Sequence, residues 1–483
     1  MQRAIDILAD IVGAALVFRL PPRSVVNNAS PRIIICGAGI AGISAAYYLS
    51  VRHGLNNVIL VEKGHPLSLT SDKSTEAYRN WWPCPHRAMT ALMNHSIDLI
   101  EEIARATDNR INLNRRGYLF ASADPTKVSL VREMAMTAER LGGGPARLHE
   151  TASSRYTPSP DRGFDFPLVG ADVITNETLI RTNFPYLTPE TVAVVHARRA
   201  GWLSAQQLGM VMLEAVRERG VRVLKGEVAG IDVAGGRVHS VHVEHQGERH
   251  SLEATHLVLA AGPMLKEVAR LIGVELPIVA ERHLKISFPD SDGVVPRQAP
   301  MLIWLDEQYL PWSDDERAVL GEDEDTRWLL GKFPPGVHGR PDGSGGRTTL
   351  IVLFNHSNLP TEVVFPLPEQ PYYAEVALRG MSTMVPAMRA YVGRGARPYV
   401  DGGYYIRTRE NRPLIGPLPI EGAYVSGAFS GFGVMASCAS GELIARHLTE
   451  APLPDYAPAF LLSRYQDAEY LAMLENWGDG GQL

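Results

Sequence analysis

The sequence predicts an α/β fold of Rossmann type joined to a second, mainly antiparallel β domain, and three stretches make that prediction. The first is Arg32 to Lys63, which reads RIIICGAGIAGISAAYYLSVRHGLNNVILVEK. The second is Leu276 to Tyr399, where extended segments are separated by Gly, Pro and acidic loops. The third is Gly402 to Leu448, where a strand gives way to glycines and then to a helix of small residues.

In the first stretch, Arg32 to Cys36 is rich in β-branched side chains and reads as a short buried strand. It runs without a gap into Gly37-Ala38-Gly39-Ile40-Ala41-Gly42. A helix-compatible run, Ile40 to Val51, ends at His53-Gly54. A second apolar strand, Val58 to Val61, follows, with Glu62 twenty positions after Gly42. This is GxGxxG in the strand, turn, helix and strand setting of a dinucleotide site. Gly37 permits the tight turn, Gly39 leaves room for a pyrophosphate, and Gly42 lets the helix pack close to the strand. The free N–H groups and dipole at the helix start hold phosphates. Glu62 would accept from the ribose hydroxyls, and a carboxylate there disfavours NADP. A glycine-rich turn in some other α/β domain leaves Glu62 without a role.

Composition sets bounds. A chain of 483 residues holds about two to four domains by length alone. Hydrophobic residues at 45% and charged residues at 21% supply an ordinary globular core. The net charge of −6, with no basic cluster, gives no sign of nucleic acid or of an anionic membrane surface. The acidic tract Asp314 to Glu316 and Glu322 to Asp325 reads as a solvated loop rather than a metal site, and no metal is expected. Cys36, Cys84 and Cys438 are too few and too scattered for a disulfide framework, which fits a reducing, cytoplasmic setting. Residues 1–30 read as an extension: Asp6 and Asp10 precede the apolar run Ile11 to Phe18, where a signal peptide wants positive charge.

Between these landmarks, Gly64 to Arg87 is rich in Ser, Thr and Pro and reads as a loop leaving the carboxyl end of a strand, where ligands bind in open α/β sheets. It carries Ser74, Thr75, Arg79, Trp81 and Trp82. The tryptophans suit a core or a pocket cover equally. Helices are expected over Ala88 to Thr107, Pro125 to Leu141, Ala205 to Arg219 with Ser204 as N-cap, and Pro371 to Val385. Arg147 to Leu187 reads as irregular. Strands are expected over Gly117 to Ser122 and Val221 to Leu224, with an antiparallel excursion from Glu227 to Ala254 turning at Gly235-Gly236 and Gln246-Gly247. His256 to Gly262 is a strand rejoining the parallel sheet. Further strands are expected at Leu284 to Phe288, Met301 to Leu305, Trp328 to Lys332 and Thr348 to Phe354. Ala423 to Ser426 leads through Gly427, Gly431 and Gly433 into a helix from Val434 to Leu448, a second helix start suited to an anion.

Taken together, GAGIAG with Glu62, STEAYR, GWLS before a helix, LVLAAGP, and TRENRPLIGP with SGAFSGFG make the chain resemble the FAD-dependent oxidoreductases of the D-amino acid oxidase class. That group includes glycine oxidase, sarcosine oxidase and dimethylglycine dehydrogenase, and the resemblance spans Arg32 to Leu448. It implies FAD, with Gly37, Gly39 and Gly42 facing the pyrophosphate, Glu62 the ribose and Lys63 the adenine. Ser74 and Thr75 would approach the ribityl and phosphate portion, Val228 the adenine end through its backbone, and Gly262 would close over the cofactor. Gly431, Phe432, Gly433, Val434 and Met435 would present N–H groups to the flavin's N1 and C2 carbonyl edge. The flavin-linked cysteine of monomeric sarcosine oxidases matches Gly403 here, and the flavin-linked histidine of dimethylglycine dehydrogenases has no match near Thr75 to Ala77. Noncovalent FAD is therefore expected.

The resemblance also implies the chemistry: hydride transfer from a C–H next to nitrogen of an amine or N-methyl amino acid to flavin, giving an imine, with O2 or another electron acceptor. The carboxylate-binding arginine of glycine oxidases matches Tyr405, and Arg407, two residues on along a strand, could take its place. Arg79 matches a flavin-proximal arginine of sarcosine oxidases. His338 and Arg340 in GVHGRP, and His283 and Lys285 on one strand face, complete the candidates, Lys285 as an oxygen-activating lysine. Oxidation of a hydroxy acid, with His338 as base, and a flavoprotein of structural or assembly role are the alternatives; a NAD-dependent dehydrogenase leaves the C-terminal glycine helix without a role. The expected division gives residues 31–110, 190–270 and 400–450 to the FAD-binding domain. Residues 111–189 and 271–399 form the substrate domain, and 451–483 a tail.

Overall fold

A computed structural model of the chain describes residues 31–83, 86–160, 162–343, 348–357, 359–393, 398–475 and 477. The N-terminal extension, Cys84 and the end of the tail lie outside the described residues. Among the described residues, no helix is long and apolar enough to cross a membrane, and no group of His, Cys, Asp and Glu could hold a metal ion.

A six-stranded sheet carries the glycine-rich turn, in the order Leu414–Pro417, Ala423–Gly427, His256–Leu259, Ile33–Cys36, Val58–Glu62 and Arg222–Lys225. All neighbours run parallel except the first pair. Its central strands are buried on both faces, which is why they read as unbroken apolar runs. Ile33, Ile35 and Leu60 pack into one core with the helices Ile40–Tyr47, Ala88–Ala106, Ala205–Glu218 and Gly433–Leu448. On the other face, Ile34, Cys36, Ile59 and Val61 meet Val238, Val241 and Val243 of a three-stranded antiparallel sheet. That sheet is the excursion expected after Gly226. The helix Ala205–Glu218 starts as expected, with Ser204 Oγ accepting from the Gln207 N–H at 3.2 Å. Ser204→Ala is expected to lower stability by about 1 kcal/mol in denaturant unfolding.

The second sheet has nine strands, in the order Tyr399–Arg407, Val279–Pro289, Thr349–Leu353, His338–Asp342, Met301–Trp304, Tyr118–Ser122, Ala193–Ala197, Ala171–Ile174 and Ala146–His149. Its neighbours are antiparallel except where Met301–Trp304 meets Tyr118–Ser122 and Ala146–His149 meets Ala171–Ile174. One face packs on the helix Tyr373–Met384 and the other on Trp81, Trp202 and the helix Val128–Ala138. Ala193–Ala197 and Tyr399–Arg407 belong to this sheet, although the sequence division places the first and all but Tyr399 of the second in the nucleotide-binding part.

Three local expectations are corrected. Arg147 to Leu187 is not irregular throughout: it holds the strand Ala171–Ile174, paired to Ala146–His149, and the helix Glu177–Asn183 with Asn176 as cap. Those elements are too short to show a period. The first part of the acidic tract is not a loop but the helix Asp314–Glu322, started by a capping box between Ser313 and Glu316 and tied down by Arg379, while Asp323 to Asp325 form the turn after it. Trp328 to Lys332 is mostly a 3₁₀ turn, Arg327–Leu330, with only Lys332–Phe333 extended. The loop after Glu62 also gains structure, a short helix Thr70–Lys73 and the strand Ala77–Arg79, which pairs with Ala200–Trp202.

Candidate active site

Where the six-stranded sheet ends, a cleft of about 650 Å³ opens between the two glycine-lined helix starts. Backbone crowding explains the glycines. A Cβ on Gly42 would lie 1.9 Å from the Gly37 carbonyl oxygen, and one on Gly37, at φ +103°, would lie 2.4 Å from that of Ala260. Gly39 is different, since a Cβ there meets only Ser71 Oγ, at 3.4 Å, and so its open side is the cleft itself. Neither the helix beginning at Ile40 nor the one beginning at Gly433 has a side-chain cap from its own N-cap residue. Both therefore direct backbone donors and the positive dipole end at the cleft. Glu62 stands behind the wall: its carboxylate accepts from the Ala38 N–H at 2.8 Å and the Gly64 N–H at 2.7 Å. These bonds fix the carboxylate and leave lone pairs for further donors.

A second cavity lies against the first, lined by Thr75, Ala77, Arg79, Tyr118, Met301, Ile303, Pro335, Gly336, His338, Asn355, Tyr405, Gly431, Phe432 and Met435. Tyr405 and Gly431 are common to both. The Arg79 guanidinium is buried, 4.6 Å above the Trp82 ring and 5.5 Å from that of Tyr118, with Nε donating to the Trp81 carbonyl at 3.2 Å. Burial lowers its pKa, opposed by Tyr118. Trp82 meets Phe432 edge-on at 5.2 Å, which ties the Arg79 strand to the second glycine helix. Both Trp81 and Trp82 are buried, and neither lines the cavity.

His338 lines the cavity with Nδ1 2.9 Å from the Gly336 carbonyl. Burial pushes its pKa down to about 4, and nearby Arg79 adds to the shift against the Gly336 bond. The folded ring is thus neutral through the range where an unfolded histidine protonates. A folded pKa below the unfolded value means that the unfolded chain binds more protons between about 6.5 and about 4, so this contribution is present above 6.5 and lost as pH falls through the window. The melting temperature of the wild type is expected to fall more steeply across it than that of His338→Gln.

The other sequence candidates divide clearly. Gly39, Ile40, Ala41, Ser74, Gly262, Gly431, Gly433 and Val434 line the cleft, and Thr75, Arg79, His338, Tyr405, Phe432 and Met435 line the cavity. Gly37, Ala38, Gly42 and Glu62 lie directly behind the cleft wall, in the bonds and contacts given above. Lys63 and Val228 line neither: Lys63 is largely exposed and pairs with Glu227 at 2.9 Å, while Val228 lies in the three-stranded sheet, paired with Val243. Arg407 is also outside the cavity lining, because Glu281 captures it, with Nε at 2.7 Å and Nη2 at 2.5 Å. Lys285 donates to the Ser74 carbonyl at 3.1 Å instead of reaching the cavity, and burial lowers its pKa. Arg340 supports the wall from behind, donating to the Thr75 carbonyl at 2.8 Å and pairing with Glu76 at 3.2 Å.

Sequence reasoning missed Ser71, whose Oγ accepts from the Ile40 N–H at 3.0 Å, and the cavity residues Tyr118 and Asn355. It also missed the lining residues Ala428 and Ser430, which take φ of 57° and 50°. The SGAFSGFG run held the only signal, and non-glycine residues do not announce a left-handed backbone.

A dinucleotide cleft sharing a wall with a small-molecule cavity defines a cofactor-dependent oxidoreductase. The chain belongs to the FAD dependent oxidoreductase family, whose sequence profile matches residues 32–447. It is 24% identical over 472 residues to the FAD-dependent oxidoreductase domain-containing protein 1 of Bos taurus, covering 90% of this chain and 85% of that one. To the sarcosine oxidase subunit beta of Rhizobium meliloti (strain 1021) it is 25% identical over 462 residues, covering 93% and 91%. Its fold is similar to that of the L-proline dehydrogenase from P. horikoshii, with TM-score 0.69 and 17% identity, covering 90% of this chain and 98% of that one. The glycine oxidase from Bacillus cereus ATCC 14579 gives TM-score 0.65 and 16% identity, covering 90% and 99%. The cofactor is FAD, and the residues fit it: Gly39 leaves the space a pyrophosphate needs, and the two glycine-lined helix starts suit its phosphates and an electron-rich ring.

Proposed function

We propose that the protein oxidises an amine or N-methyl amino acid at the C–H next to nitrogen, giving an imine. The observation that carries this reading is Arg79, a buried cation in a cavity that shares Tyr405 and Gly431 with the FAD cleft. When bound, FAD supplies the hydride acceptor. Glu62 would hold the ribose, Ser74 and Thr75 the middle of the cofactor, and the N–H groups from Gly431 to Met435 its electron-rich edge. FAD is held noncovalently on this reading, as Gly403 offers no nucleophile. In the cavity, Arg79 would bind a carboxylate, Tyr405 and Tyr118 would form an aromatic wall, and Met301 and Ile303 would exclude water. Sarcosine, proline and glycine, in the names of the similar proteins, all combine a C–H next to nitrogen with a carboxylate.

His338 helps to choose between donors. With Nδ1–H directed at the Gly336 carbonyl, Nε2 is an acceptor, but a group with pKa of about 4 is a weak base. A hydroxy acid needs its hydroxyl proton taken as hydride leaves, whereas an amine needs only to be neutral beforehand, which favours the amine. Anaerobic mixing of the FAD-loaded protein with amines, N-methyl amino acids and hydroxy acids tests this through the flavin's visible absorption. Bleaching by an amine class supports the reading, and admitting air then separates O2 from another acceptor. Bleaching by hydroxy acids alone overturns it, and no bleaching at all favours a structural or assembly role.

A further inference from the structure

The ring of Tyr405 lines both cleft and cavity, and two neighbours hold it closely. The Gly431 backbone is so near that a Cβ there would lie 2.6 Å from Tyr405 Cε2. The His283 imidazole is stacked on it, with ring centres 3.9 Å apart and planes within 17°. His283 Nε2 lies 3.3 Å from Glu281 Oε2, and the other oxygen of that carboxylate takes Arg407. The side chains of His283 and Glu281 are only 1% and 2% exposed. Pairing of Val279–Pro289 with Tyr399–Arg407 sets this up, since Glu281 lies opposite Tyr405, and residues two apart on each strand share a face.

We propose that Glu281 and His283 are positioning residues, with Arg407 as their counter-ion, which clamp the Tyr405 ring against Gly431 and thereby fix the opening between the flavin cleft and the substrate cavity. A buried carboxylate is a poor source of net stability, because apolar side chains of similar volume pack as well or better. What the ion pair supplies is direction. It holds the imidazole in one plane, and the imidazole holds the phenol. Burial pushes the Glu281 pKa up, but the bonds from His283 and Arg407 outweigh this and leave it lowered, so the carboxylate stays charged. Arg407 thus serves the site through Tyr405 instead of touching substrate. The consequence for turnover rests on the reading that the cavity beside Arg79 takes the substrate; the position of the ring does not.

The test places 3-fluorotyrosine at position 405 of the FAD-loaded protein and follows its fluorine resonance by NMR, with steady-state kinetics on the amine that bleaches the flavin. A resonance displaced by the stacked imidazole is expected in the wild type. It should move toward that of free fluorotyrosine in His283→Ala and part of the way in Glu281→Gln, while His283→Phe, which keeps a stacked ring, retains it. KM should rise about tenfold in His283→Ala with little change in limiting rate, and His283→Phe should restore it. An unmoved resonance in FAD-binding His283→Ala and Glu281→Gln overturns the proposal, as does His283→Phe behaving like His283→Ala. Should His283→Ala fail to fold, Glu281→Gln and His283→Phe decide by the same resonance. If no amine bleaches the flavin, the substrate reading fails while the resonance still tests the clamp.

Discussion

Gly42→Ala is expected to purify colourless. The added Cβ would lie 1.9 Å from the Gly37 carbonyl oxygen and 3.0 Å from its carbon, and no side-chain rotation can relieve a contact between two backbones. Helix and turn must separate, which moves the N–H groups of the first helix away from the phosphates. Overpacking of this kind is worth about 3 kcal/mol, so the dissociation constant for FAD should rise about 100-fold or more. Titration of the apoprotein with FAD measures it. Gly39→Ala provides the contrast, since its Cβ meets only the Ser71 hydroxyl at 3.4 Å and projects into ligand space. It should leave the fold and its melting temperature intact and weaken FAD alone. A yellow Gly42→Ala protein with unchanged affinity would show that the turn can yield.

Arg79→Met is expected to lower kcat/KM for flavin reduction by about 10- to 100-fold with a carboxylate-bearing amine, the worth of one charge-assisted hydrogen bond or pair in a buried site. An amine of similar size without a carboxylate should be affected much less. Arg79→Lys should not restore activity, because the guanidinium sits over the Trp82 ring at 4.6 Å and a compact ammonium cannot keep both that contact and a forked bond to a carboxylate. Stopped-flow reduction with both amines checks the prediction. Equal loss for both would mean that Arg79 shapes the cavity and does not read the substrate.

These two residues differ in how they could be found. Gly42 announces itself, because its requirement comes from Gly37, five residues away, and from a strand and helix contiguous with it. Arg79 could be suspected only through the STEAYR resemblance, while Arg407, equally basic and on a strand that does border the cavity, lies outside its lining. Glu281 decides that, and it is 126 positions from Arg407 in the chain. His283 and Lys285 show the same limit. They share a strand as expected, yet one stacks on Tyr405 and the other turns to the carbonyl of Ser74.

The sequence by itself determined the nucleotide unit, the second glycine helix and hence the cofactor class, because each is a contiguous segment whose backbone geometry depends on residues within a few positions. Only the tertiary structure decided which cation faces the cavity and what walls it. That cavity draws on Thr75, Ala77, Arg79, Tyr118, Met301, His338, Asn355, Tyr405 and the Gly431 turn, brought together by two sheets meeting. A side chain's charge can be read from its letter, but its partner is set by whichever opposite charge the fold buries beside it.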